Sequence, residues 1–266
     1  MYETHYHRAS SIDQAASLFA QGSDAKYLSG GQTLIPVMKQ RLAAPSDVID
    51  LAKIPDMIGV EVSGDTATIK AATTYYDIAA SRELNAAIPA LCHLTSMIGD
   101  PAVRYRGTIG GSIANNDPAA DYPAAVLALN ATVKTNKRDI AADDFFQGLF
   151  STALDEGEII TAVSFPIPEK AGYAKFRHPA SRFALTGVFV AKLKSGEVRV
   201  AATGAAQDGV MRVPQIEEAL KANWSADTLA SIGVSSDGLI SDIHGKPDYR
   251  ANLIKVMAQR AVAVAG

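Results

Sequence analysis

Arg104-Tyr-Arg-Gly-Thr-Ile-Gly-Gly-Ser-Ile-Ala-Asn-Asn-Asp-Pro-Ala-Ala-Asp-Tyr122 is the stretch on which the reading of this chain turns. It gathers three glycines, a Thr, a Ser, two Asn, two Asp and two Arg, with too few apolar side chains for a core strand. Gly107, Gly110 and Gly111 open backbone conformations closed to other residues and let a ligand come close to the main chain. Consecutive amides in such a loop form a concave nest for an anion, usually a phosphate. Asn115, Asn116, Asp117 and Asp121 then offer amides and carboxylates suited to ribose hydroxyls. An ordinary polar turn rich in Gly and Asn is the alternative for this stretch taken alone.

A second loop of the same kind lies near the N-terminus. Residues 25–28 read as a strand running into Ser29-Gly30-Gly31-Gln32-Thr33, and Leu34 to Leu42 reads as a helix. Pro36 is tolerated only in a first turn, which puts the helix start near Gln32 or Thr33. Glycines directly before a helix N-terminus leave free amides at the positive end of the dipole, a second place for an anion. A plain strand–turn–helix is again the alternative. Two such loops fit a ligand with an extended diphosphate better than a mononucleotide, because one holds the diphosphate while the other holds sugar or ring. That points to a dinucleotide cofactor such as FAD between two subdomains.

Composition narrows the rest. A chain of 266 residues, 48% hydrophobic and 20% charged, is long enough for one large or two ordinary domains with substantial cores. The net charge of −3, with no long basic run, gives no support to nucleic-acid or membrane-surface binding. No apolar stretch approaches the roughly 20 residues of a membrane span. The N-terminus lacks the basic start and apolar run of a signal peptide, so a cytoplasmic location is expected. Cys92 stands alone, which excludes an internal disulfide and a four-Cys iron–sulfur cluster; it reads as a small core residue. The five His are scattered, and no metal site is expected. There is no G-x-G-x-x-G after a strand, no P-loop and no H-E-x-x-H, so the dinucleotide fold with reversed strand order is not supported.

Along the chain, Ser10 and Asp13 suggest a capping box opening a short helix. Strands are expected at 48–51, 66–73, 131–136 and 158–165, with helices from Pro89 to about Ile98 and at 121–129. Pro166 to Gly172 reads as a linker. Beyond it come three strands (173–178, 186–194, 197–205) and helices at 214–222 and 249–264. That order suggests a separate α+β domain.

Ser29-Gly-Gly-Gln-Thr-Leu-Ile-Pro36 together with Thr108-Ile-Gly-Gly-Ser-Ile-Ala-Asn-Asn-Asp-Pro-Ala-Ala-Asp121 resembles the FAD-binding medium subunit of the molybdenum hydroxylases, the carbon monoxide dehydrogenase and xanthine dehydrogenase type. Tyr6-His7-Arg8, Arg104-Tyr-Arg-Gly107 and Phe176-Arg-His-Pro-Ala-Ser-Arg182 extend the likeness over nearly the whole chain. The resemblance implies an α+β, two-subdomain FAD-binding fold of the vanillyl-alcohol-oxidase-like, PCMH type. Its subdomains would be 1–55 and 56–168, followed by a C-terminal domain, 169–266, of a three-stranded antiparallel sheet plus helices. It further implies that Gly30, Gly31, Gln32, Thr33 and Leu34 wrap the diphosphate, with Ser29 a further cofactor-binding candidate in the same loop, and that Thr108, Gly110, Gly111, Ser112 and Asn115 continue the site. By the same resemblance Asp121 binds a ribose or ribityl hydroxyl, Ile98 and Ile160 pack on the rings, and Arg177 sits near the cofactor; Asp117 is a cofactor-binding candidate through its own carboxylate. Many relatives have Asn where Ser112 stands and Thr-Asp where Gln32-Thr33 stands, which leaves individual hydrogen bonds open.

No acid–base pair or nucleophile is evident, so the flavin would carry the chemistry. The family places two [2Fe–2S] clusters in a small iron–sulfur subunit and the molybdenum cofactor in a large molybdopterin subunit, as a dimer of heterotrimers. Electrons would then pass through the clusters to this FAD and out to an external acceptor. Arg104 and Arg106 either offset cofactor or partner charge or form exposed salt bridges. A stand-alone FAD-dependent oxidase or reductase, and a non-redox nucleotide-binding scaffold, are the alternative functions.

Overall fold

The N-terminal part of the chain is built on three four-residue strands that pair in parallel. In the computed structural model, which describes residues 1–265, β1 (His5–Arg8), β2 (Ala25–Leu28) and β3 (Asp47–Asp50) form a sheet of order β1-β3-β2. Parallel neighbours need crossovers, which α1 (Ile12–Gln21) and α2 (Leu34–Lys39) supply. The cap of α1 lies one residue later than the Ser10–Asp13 pairing suggests. Ser11 Oγ accepts the Gln14 amide, and the Gln14 side chain accepts the Ser10 amide in return. The α2 helix starts just after Thr33, with Pro36 in its first turn as required.

The second subdomain is an antiparallel sheet with helices inserted between its strands. In chain order it runs β4 (Val60–Ser63), β5 (Thr66–Lys70), α3 (Tyr75–Ala80), α4 (Arg82–Ala87), α5 (Pro89–Ser96) and α6 (Pro101–Arg104). It continues through α7 (Ile109–Asn115), α8 (Tyr122–Ala128), β6 (Thr132–Thr135), β7 (Asp139–Ala141), α9 (Ala142–Phe145) and β8 (Ile160–Pro166). The sheet order is β4-β5-β8-β6-β7.

The main correction to the sequence reading falls here: residues 109–115 are a helix, not an open glycine loop. Thr108 Oγ1 caps it by accepting the Gly111 amide at 3.2 Å, and Asn116, in the left-handed region at φ 43°, ends it. Gly110 serves packing, because a Cβ there would sit 2.6 Å from the Ala71 Cβ. Two glycines in one turn imitate a loop signal when they answer a close helix–strand approach.

Only Ile167 to Glu169 separate β8 from β9 (Lys170–Arg177), the first strand of the C-terminal unit. It pairs with β10 (Ala184–Lys192), then β11 (Val198–Ala206) and β12 (Gly209–Arg212). The antiparallel order is β12-β11-β10-β9, so this sheet has four strands rather than three. The four-residue β12 is too short to show a period. Helices α10 (Pro214–Ala222) and α11 (Pro247–Ala263) cover one face. Along β10 the side chains alternate between two cores. Phe189 and Ala191 join the core of the first two subdomains, while Val188 and Val190 join the core under α10 and α11. Burial on both faces explains why β10 and β11 show no alternation of apolar and polar residues. Tyr122 to Ala128 of α8 are buried along their whole length, packed on β10 and β11.

Candidate functional site

All three sheets contribute to one cleft of about 1100 Å³. That exceeds the usual range for small-ligand sites, roughly 300–1,000 Å³, and suits a dinucleotide. One wall is the β2–α2 loop from Ser29 to Leu34 and another is the exposed side of α7; Ile98 and Ile160 line it as well, and the β9–β10 hairpin closes it. The two glycine motifs are in direct contact. Ser29 Oγ lies 2.8 Å from Thr108 Oγ1, and a Cβ on Gly30 would come within 2.1 Å of the Arg106 carbonyl oxygen.

The two motifs nevertheless do different things. In the first, none of the backbone amides of Gly30, Gly31, Gln32, Thr33 and Leu34 meets a protein acceptor among the described residues. Gly31 makes this run possible at φ +72°, a conformation that a side chain would strain. Five successive free N–H groups beside a cleft are the donor set of an anion site. In the second motif the amides are already taken, so the anion nest expected there does not exist. Gly110 N–H donates to the Ala71 carbonyl, Gly111 N–H to Thr108 Oγ1, and Ser112 N–H to the Thr108 carbonyl. What Gly111 provides is space. A Cβ there would meet only Thr108 Oγ1 at 3.1 Å and Ser29 Cβ at 3.9 Å, and would otherwise project into the cleft.

Of the remaining sequence candidates, Ile98, Ser112, Asn115, Asp117 and Ile160 line the cleft. Asp117 also accepts the Ala119 amide at 2.8 Å. Asn116 turns away: its buried amide donates to the Gly148 and Ser151 carbonyls, both at 2.8 Å, so it is a structural clamp. Asp121 reaches the cleft wall but is already engaged. Tyr173 donates to it at 2.5 Å and Lys175 Nζ approaches at 2.8 Å, all three side chains being buried. Burial pushes the Asp121 carboxyl up, and Lys175 pulls against that. Arg177 does not line the cleft; Lys175 does. Both project to one side of β9 by the two-residue period, but Arg177 sits at the strand's outer end, exposed. Lys175 carries no motif, and only the pairing with Asp121 identifies it.

Other residues missed from the sequence include Tyr75, Val103 and Glu158. Burial pushes the Tyr75 phenol up to about 12, so it stays protonated beside Ser112. Burial raises the Glu158 carboxyl too, yet Arg138, Thr135 and the Asp155 amide outweigh it and bring it down to about 2. Arg104 neither pairs with a carboxylate nor faces the cleft, since its guanidinium donates to the Ile98 and Gly99 carbonyls and closes the turn before α6. Cys92 is buried and free. His7 bonds Asp47 at 2.7 Å, and no cluster of metal-ligating side chains exists among the described residues. No helix among them is long and apolar enough to cross a membrane.

A dinucleotide-sized groove between subdomains, with bare amides on one wall and a bare glycine on the other, defines a nucleotide-cofactor-binding protein. Residues 2–168 match the family described as "FAD binding domain in molybdopterin dehydrogenase". The chain is 35% identical to the nicotine 6-hydroxylase medium subunit of Paenarthrobacter nicotinovorans, over 98% of this chain and 96% of that one. It is also 35% identical to the carbon monoxide dehydrogenase medium chain of Afipia carboxidovorans, over 97% and 94%. Among solved structures it is similar to reconstituted CO dehydrogenase from Oligotropha carboxidovorans (TM-score 0.87, 32% identity, 98% and 96% covered). Quinoline 2-oxidoreductase from Pseudomonas putida 86 superposes comparably (TM-score 0.86, 25% identity, 98% and 96% covered). The chain therefore belongs to the FAD-binding medium subunits of the molybdenum hydroxylases. It is an FAD-containing oxidoreductase subunit.

Proposed function

We propose that FAD lies along this cleft with its diphosphate on the amides of Gly30 to Leu34. Ser29, Thr108, Gly110, Gly111, Ser112 and Asn115 border it, Ile98 and Ile160 pack on its rings, and Asp117 faces its sugar chain. The observation that carries the reading is the run of five unpartnered amides facing Gly111 across the groove. When bound, FAD would supply the redox chemistry, carrying electrons between the [2Fe–2S] clusters of a partner and an external acceptor. The chain's own residues do the holding. The amides would donate to the diphosphate oxygens, Ile98 and Ile160 would exclude water from the rings, and Lys175 stands at the cleft wall paired with Asp121. Arg177 acts on the site through its field at Asp121 rather than by contact.

We further propose division into subdomains 1–55 and 56–168 and a C-terminal domain 169–266, a division supported by the three separate sheets. The complex would join this chain to an iron–sulfur subunit and a molybdopterin subunit as a dimer of heterotrimers. The relatives' designation as medium subunits supports the first half of that statement.

Gly111→Val tests the site. The branched side chain would fill the space where the cofactor approaches α7. The variant is expected to purify folded but colourless, without the flavin band at about 450 nm. Unchanged flavin stoichiometry would reject the assignment. Co-purification of the tagged chain with iron–sulfur and molybdopterin subunits separates the complex from a stand-alone oxidase.

A further inference from the structure

On the far side of the diphosphate loop lies a second, smaller depression of about 230 Å³. Ser29, Gly30 and Thr108 form part of its wall, so the loop is shared between the cofactor cleft and this pocket. Arg8, Lys53 and Arg106 also line it. They arrive from β1, from the segment after β3 and from the turn after α6. Unlike Arg104, none of the three side chains has a hydrogen bond or ion pair among the described residues. The one carboxylate in the wall, Asp50, is held by neutral donors, the Tyr6 hydroxyl at 2.6 Å and the Ala52 amide at 2.8 Å. Its bond to Asp50 raises the Tyr6 phenol, while the charges of Arg8 and Arg106 act the other way. Three cations against one carboxylate leave the pocket locally positive in a chain of net charge −3.

Like charges brought together from separate elements repel, and an anion among them relieves that repulsion. Two guanidinium forks and an ammonium match the oxygens of a phosphate better than a single carboxylate. Tyr105, which also lines the pocket, is stacked on Tyr76 with ring centroids 4.0 Å apart, giving the pocket an aromatic wall. We propose that this pocket binds a phosphate-type dianion, free or carried by a mononucleotide, beside the cofactor cleft and outside it. The pocket takes its floor from the loop assigned to FAD above, and in that respect it rests on that reading.

The test uses flavin-loaded protein, in which the amides of Gly30 to Leu34 are occupied. Isothermal titration calorimetry with inorganic phosphate, and separately with AMP, is compared with chloride at equal ionic strength. Saturable binding of at least one is expected, weakened about tenfold by Arg106→Gln and by Lys53→Gln and largely retained by Arg106→Lys. Equal affinities identify the free anion, and tighter AMP binding identifies a nucleotide; both support the pocket. No saturable binding beyond the chloride control, or binding indifferent to both Gln variants, overturns it. The variants lie outside the cleft, and flavin absorbance is read in every sample. No anion signal in the flavin-loaded wild-type protein thus rejects this pocket and leaves the FAD site standing.

Discussion

Glu158 shows how a single side chain near the cleft adds to the acid sensitivity of the fold. Its side chain is fully covered and held by Arg138 at 3.0 Å, by Thr135 at 2.6 Å and by the Asp155 amide at 2.8 Å. The folded-state pKa, about 2, lies below the ordinary 4.5. A depressed carboxyl stabilises the fold above its ordinary pKa, and that stability fades as pH falls through the window between the two values. Because solvent screens the half-exposed Arg138, the contribution of this one group is on the order of 1 kcal/mol. Urea denaturation followed from pH 5 to pH 2 is expected to show the loss in the wild type and a flatter dependence in Glu158→Gln. Equal slopes for the two proteins would mean that Glu158 titrates normally. Gly111 is the other decisive single residue, because its role consists of an absent side chain.

At the scale of elements, α7 illustrates how one segment can satisfy two incompatible sequence signals. Its glycines look like loop residues, yet Thr108 gives it a proper N-cap and Asn116 a left-handed end. Thr108 Oγ1 also meets Ser29 Oγ, so the cap joins α7 to the diphosphate loop. Thr108→Val removes both contacts while keeping the shape. A loss of about 1 kcal/mol in thermal or urea unfolding is expected, with faster release of flavin. Unfolding and flavin release both at wild-type levels would show that the cap carries nothing. The sheets are a mixed case: the short β2, β3, β5 and β6 were legible along with the longer strands, while β1, β4, β7 and β12, at three or four residues, were not.

For the whole molecule, the Pro118-to-Asp121 segment is where the C-terminal domain grips the cofactor-binding part. Thr203 Oγ1 donates to the Pro118 carbonyl at 3.0 Å and the Ala120 carbonyl at 2.7 Å, and the Gly204 amide donates to Pro118 at 2.7 Å. Arg199, buried, donates to the Leu127 carbonyl at 3.0 Å and pairs with Asp143. Asp121 completes this joint through Tyr173 and Lys175. Asp121→Asn leaves the Lys175 ammonium buried without its counter-charge, at an expected cost of about 3–5 kcal/mol. Adding Lys175→Met to it should recover much of that loss. Urea unfolding of the singles and the double decides: additive losses would mean that the two groups do not interact.

The sequence by itself determined the two glycine motifs, the α+β class, the start of α2 against Pro36 and the long strands of the C-terminal sheet. Each follows from local chemistry, namely backbone freedom, a missing amide hydrogen, and side-chain period. It also carried the family through the spacing of motifs over most of the chain. Only the tertiary structure decided which amides are free. It showed that the Gly30–Leu34 run lacks acceptors while those of α7 are used, that Asp121 is tied to Tyr173 and Lys175 of β9, and that Lys175 rather than Arg177 stands in the cleft. Whether a polar group is available to a ligand depends on what distant segments place beside it, and one-dimensional spacing holds no record of that.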